Sequence, residues 1–141
     1  MKYNIYQFKN GKGNIKKFEY GTLEFEGEYL NGKRNGKGKE YYESGKLLFE
    51  GEYLNGKKYR NGKEYNYDGK LIFDGEYLYN FKLKGKEYGS INNLIFEGEY
   101  LNGKRHGKGK EFFDNKLIFE GEYENSQKKN NNTKWWKGKR I

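Results

Sequence analysis

A chain of 141 residues fits a single domain, and this one has no proline, cysteine, alanine or valine but 21 glycines, 15 tyrosines, 10 phenylalanines and 2 tryptophans. That mixture excludes a helical protein, because glycine costs roughly 1 kcal/mol against alanine inside a helix and aromatics lose rotamer freedom there, whereas aromatics suit a half-buried pleated surface. The net charge is +9, and charged residues (35%) outnumber hydrophobic ones (33%), so a folded state must rest on the aromatics and a thin core.

Residues 1–24 read as a degenerate first hairpin, since Gly21, Leu23 and Phe25 echo the spacing of Gly45, Leu47 and Phe49. From there a marker F-[ED]-G-E-Y recurs every 23 to 24 residues, at Phe25–Tyr29, Phe49–Tyr53, Phe73–Tyr77, Phe96–Tyr100 and Phe119–Tyr123. The expected repeats are 25–48, 49–72, 73–95 and 96–118, with a degenerate last unit at 119–141. In that last unit Trp135 and Trp136 follow Phe119 at the offsets by which Phe112 and Phe113 follow Phe96, which makes them its closing strand.

Within a unit, Leu47, Phe49, Gly51 and Tyr53 alternate with Leu48, Glu50 and Glu52, the two-residue period of a strand with unlike faces. Asn31 to Gly36 supplies the positive-φ residues of a tight hairpin, K-G-K-E-Y is the second strand, and Ser44 to Lys46 or Asp68 to Lys70 forms the return turn. The predicted fold is all-β: an elongated single-layer antiparallel sheet of consecutive β-hairpins, advancing about 10 Å per unit. One face carries Phe and Tyr with glycines between them. The other places Glu50 and Glu52 near Lys37, Lys39 and Lys63, beside an apolar strip of Leu48, Ile72, Ile95 and Ile118.

Phe96 to Phe113, FEGEYLNGKRHGKGKEFF, resembles the MORN repeat, with its pattern of roughly Y-x-G-x-W/Y-x-x-G-x-x-x-G-x-G, and the EYYESGKL turn is similar to the MORN-variant subtype. The resemblance implies a β-hairpin solenoid that is not catalytic and that brings partners together, forms dimers or larger assemblies, or contacts anionic phospholipid. The chain departs from the pattern in two ways. Tyrosine stands for tryptophan in all five markers, and the third unit has Tyr79-Asn80-Phe81-Lys82-Leu83-Lys84 in place of the glycine-bearing loop, putting Phe81 and Leu83 at an exposed tip.

The inventory for an enzyme is thin: one histidine, no cysteine, and Ser44, Ser90 and Ser126. His106 takes the turn position of Asn35, the Glu26/Glu28 and Glu50/Glu52 pairs recur opposite lysines as a solvated face does, and no helix follows the glycine-lysine runs to complete a phosphate loop. No enzyme, cofactor or metal site is expected. Partner binding or self-association is expected on the aromatic face formed by Tyr29, Tyr53, Tyr77, Tyr100, Tyr123, Phe49 and Phe73.

The alternative is peripheral binding to anionic phospholipid through the C-terminal segment. Residues 125–141 hold Lys128, Lys129, Lys134, Lys137, Lys139 and Arg140 with no acid, together with Trp135 and Trp136. Nucleic acid is not expected as a partner, because acids are mixed among the lysines and the aromatics lie on the opposite face. With no disulfide framework, no N-terminal apolar h-region and no run of ~20 apolar residues, neither export by a standard signal nor a transmembrane segment is expected. The expected setting is cytoplasmic, either free or peripheral at a membrane or the cytoskeleton.

Overall fold

The computed structural model describes residues 1–9, 11–129, 135–136 and 139–140. Twelve strands follow one another in a single open, uncurled sheet, each antiparallel to the next in chain order. They are β1 (Lys2–Lys9), β2 (Lys12–Glu19), β3 (Thr22–Leu30), β4 (Lys33–Tyr41), β5 (Leu47–Leu54), β6 (Lys57–Tyr65), β7 (Leu71–Leu78), β8 (Phe81–Tyr88), β9 (Leu94–Leu101), β10 (Lys104–Phe113), β11 (Lys116–Glu124) and β12 (Gln127–Lys128). A separate two-stranded ribbon joins β13 (Trp135–Trp136) to β14 (Lys139–Arg140).

The turns explain the regular spacing. At the hairpin tips two successive residues have positive φ, as in Asn31 and Gly32 (49° and 82°) or Asn55 and Gly56 (48° and 86°). This is the primed turn whose twist matches that of the flanking strands. A bulge follows in each of the strands β4, β6 and β10, where Gly36 (104°), Arg60 (63°) and Gly107 (90°) again take positive φ. Consecutive tips are tied together, as where Gly56 N donates to Arg34 O at 2.8 Å and Asn80 N to Lys58 O at 2.9 Å.

The core lies on one face. Phe25, Phe49, Phe73, Phe96 and Phe119 are at most 1% exposed, and each meets a tyrosine of the following unit where one follows. The rings of Phe49 and Tyr77 cross at 89° with centroids 5.4 Å apart, and those of Phe96 and Tyr123 at 90° and 5.3 Å. Edge-to-face pairs of this kind add about 0.5–1.5 kcal/mol beyond their area burial. Glycine makes this possible, since a Cβ on Gly62 would stand 2.6 Å from Phe49 Cζ. The first hairpin solves the problem differently: Asn4 of β1 occupies the register of Phe25, so no ring arrives, and Ile15, 1% exposed, fills the place that Gly38 holds in the next hairpin.

The tryptophan pair, expected as the closing strand, lies against β11, while the residues leading to it fall outside the described ones. Among the described residues the hydrogen-bonded sheet runs to the two-residue β12, and Trp135 and Trp136 pair with Arg140 and Lys139 in the separate ribbon, whose first strand lies within 8 Å of β11.

Candidate functional site

The expected aromatic docking face is not open. Tyr29, Tyr53, Tyr77, Tyr100 and Tyr123 are 2–8% exposed, and Phe49 and Phe73 are 1% exposed, so all seven belong to the core of the single chain. What covers them is a row of cations. Arg34 lies 3.9 Å from the Phe25 ring centroid, Lys58 4.1 Å from Phe49, Lys82 4.3 Å from Phe73, Arg105 4.0 Å from Phe96 and Lys128 4.6 Å from Phe119. Phe25, Phe49, Phe73 and Phe96 are thereby held between glycine backbone beneath and a cation above, a favourable placement on the negative face of the ring.

Glutamates complete the cover. Glu40 accepts from the Tyr53 hydroxyl and lies 3.8 Å from Arg34 and 3.9 Å from Lys58, while Glu64 accepts from Tyr77 at 2.8 Å and pairs with Lys82 at 3.5 Å. Glu87 accepts from Tyr100 and from both Nε and Nη2 of Arg105, and Glu111 accepts from Tyr123 at 2.7 Å and pairs with Arg105 and Lys128, each at 3.4 Å. Burial alone would raise the Glu87 carboxyl, but the hydrogen bonds from Arg105 and Tyr100 outweigh it and hold it below the usual range. Burial first, and then the hydrogen bond and charge of Glu87, push the Tyr100 hydroxyl upward. Sequence reasoning missed this cover, although its signal was periodic: from the tip at Asn31 onward the second residue after each tip is Arg or Lys, and four units carry the G-K-E glutamate.

The opposite face is the open one. Two shallow hollows of about 900 and 660 Å³ run along it, floored by glycine backbone and walled by charged side chains. Glu50 lies between Lys39 and Lys63 in register, and Glu97 between Lys86 and Lys110, so acidic and basic strands alternate as expected. Lys84 reaches Glu76 at 3.4 Å, and Lys86 reaches Glu97 at 4.0 Å. On the return-turn side Tyr41 donates to Glu26 at 3.0 Å and Tyr65 to Glu50 at 2.7 Å; burial and then these bonds push both hydroxyls up to about 12.

The C-terminal basic residues divide. Lys128 belongs to the core cover, and Lys129 lies 3.9 Å from Glu122. Lys134 and Lys137 lie outside the described residues, and of Trp135, Trp136, Lys139 and Arg140 only the strand pairing is described. His106 sits in the β10 bulge with Nδ1 buried and unbonded. Among the described residues no cluster of three His, Cys, Asp or Glu could hold a metal ion, and no helix is long and apolar enough to cross a membrane.

The MORN repeat family model matches residues 25–46 and 96–117. No curated protein matches the chain. MORN repeats are generally non-enzymatic scaffolds associated with protein or membrane interactions. The two matched segments each span a marker, its hairpin and the return turn, and the remaining markers stand in the same register of the same sheet, so the chain is a MORN-repeat protein.

Proposed function

We propose that the chain is a non-enzymatic scaffold that holds a protein partner along the charged hollow opposite its aromatic core. The observation that supports this is the position of the two hollows, which run from β1 to β11 on the face the core does not use. Charged stripes of alternating sign lie about 4.8 Å apart there, so a partner segment crossing the strands meets a new sign at each one. The same alternation works against an anionic bilayer, because every basic stripe is flanked by carboxylates. We read the chain as a single solenoid of these units, a reading supported by the sequence-order continuity of the twelve-strand sheet.

The test uses two variants checked by circular dichroism for an intact sheet. Lys39→Gln/Lys63→Gln/Lys86→Gln alters the hollow, and Lys129→Gln/Lys134→Gln/Lys137→Gln/Lys139→Gln neutralises the C-terminal segment. The first is expected to lose protein partners in pull-downs and the second to keep them, while wild type stays unbound in flotation with phosphatidylserine vesicles. Vesicle binding by wild type that is salt-dependent and lost in the second variant would replace this reading with the lipid one.

A further inference from the structure

Three hairpin tips read Leu-Asn-Gly-Lys, at Leu30 to Lys33, Leu54 to Lys57 and Leu101 to Lys104, but the third in chain order reads Leu78-Tyr79-Asn80-Phe81. Its backbone is unchanged, with φ of 48° at Tyr79 and 77° at Asn80. Left-handed backbone is tolerated by asparagine and strains a tyrosine, so this tip keeps a residue that its own geometry disfavours. Phe81 likewise stands where the others have lysine.

The bulge that follows is one residue shorter. Lys82 and Lys84 pair with Tyr77 and Glu76, leaving only Leu83 between them, where β6 and β10 accommodate more. Among the described residues, no bond from the next tip to Lys82 repeats the ties that Gly56 and Asn80 make. The edge is left open at this point. Leu78, Tyr79, Phe81 and Leu83 are 43%, 49%, 55% and 42% exposed, and the Tyr59 ring joins that of Tyr79 at 5.7 Å.

The surroundings are basic. Lys57 and Lys104 open the neighbouring even strands β6 and β10 as Phe81 opens β8, the equivalent repeat position about 10 Å to either side. Arg60 lies beside Tyr59, its guanidinium carbon 5.9 Å from the ring centroid. None of these three cations has an ion-pair partner among the described residues.

We propose that this edge docks an acidic protein segment bearing one large apolar side chain. The apolar side chain seats against Leu78, Phe81 and Leu83, and the Asp or Glu residues around it meet Lys57, Arg60 and Lys104. A second copy of the chain is a poor occupant, because two-fold pairing would bring the same cations face to face. A bilayer is also poor, since Glu76 and Glu99 border the patch on the same face as Leu78 and Leu101. This site is separate from the charged hollow and does not depend on it.

The test is fluorescence anisotropy with a pooled synthetic peptide library carrying one Leu, Phe or Trp among Asp, Glu, Ser and Gly, and a matched library with Lys in place of the acids. Wild type is expected to select acidic peptides, with affinity falling about tenfold or more in Phe81→Lys, the scale expected for losing a seated anchor. The double variant Tyr79→Asn/Phe81→Lys, which restores two of the three residues by which this tip differs from the others, is expected to melt above wild type while losing the peptides, an outcome a purely structural role would not give. The hollow variant Lys39→Gln/Lys63→Gln/Lys86→Gln should bind them unchanged, so failure here is distinguishable from failure of the hollow reading. Selection of no acidic peptide, equal binding of the lysine library, retained affinity in Phe81→Lys, or binding of phosphatidylserine vesicles alone would overturn the proposal.

Discussion

A Cβ added at Gly51 would lie 2.6 Å from the Asn61 carbonyl oxygen, 2.8 Å from Gly62 Cα and 2.8 Å from Phe49 Cζ. Two of these three atoms are backbone of β6, which is fixed by its ladders with β5 and β7. Relief therefore means either separating β5 from β6 or lifting the Phe49 ring, and a lifted ring gives up its 5.4 Å contact with Tyr77 and its place beneath Lys58. Overpacking costs typically about 1–3 kcal/mol, and a clash with backbone belongs at the upper end. Replacing glycine also restricts the unfolded chain and returns about 0.4–1 kcal/mol, so Gly51→Ala is expected to destabilise by about 2 kcal/mol net. Gly89→Ala is the matched control: its Cβ would meet Asn93 Oδ1 at 2.6 Å, the far end of a side chain that can turn away, and it should change stability by no more than about 0.5 kcal/mol. Urea unfolding followed by far-ultraviolet circular dichroism separates the two, since about 2 kcal/mol moves the midpoint by roughly 1 M. Equal midpoints for the two variants would refute ring-on-glycine packing.

Arg105→Ala leaves Glu87 and Glu111 without their shared partner and uncovers Phe96, and should cost about 2–3 kcal/mol in the same assay, whereas Arg105→Lys should cost under about 1 kcal/mol because Lys58 and Lys82 hold that place in other units. Equal losses in both would show that the cation does not act as a ring cover. Alkali should unfold the sheet. The Tyr41 and Tyr65 hydroxyls are pushed up to about 12, and those of Tyr53, Tyr77, Tyr100 and Tyr123 are also raised, so the stability they contribute is complete below pH ~10 and drains away as pH climbs through the folded values. Tyrosinate absorbance should accordingly rise together with loss of the circular dichroism signal, and ionisation of all tyrosines near pH 10 with the sheet intact would contradict this.

The strand order and cross-strand register were legible because the period was written in residues with backbone consequences. Asn-Gly fixed the tip turn, and the alternation of Phe, Gly and Tyr with Glu fixed which side chains share a face. The third tip was legible as an irregularity, and Phe81 and Leu83 are exposed as their position implied. Its shortened bulge and broken tie depend on strand geometry that sequence comparison alone does not display.

The exposure of the aromatic row was misread for a reason that applies to any one-layer sheet. Counting apolar residues gives each Phe a covered side and a bare side, and the bare side then looks like an invitation to a partner. Here the bare side is closed from within the same chain: the cation two positions past the tip folds back over the ring, and the G-K-E glutamate of the preceding unit neutralises it while accepting the tyrosine hydroxyl. The aliphatic stem of a lysine or arginine can cover a ring while its head stays at the solvent boundary, and Arg34, Lys58, Lys82 and Arg105 are all 23–27% exposed along their side chains. A hydrophobic fraction of 33% is thus enough for a folded sheet, because charged side chains do part of the burying. The surface left open is the face where Glu and Lys meet each other, solvent and the Tyr41 and Tyr65 hydroxyls, together with the edge where the repeat exchanges a lysine for Phe81.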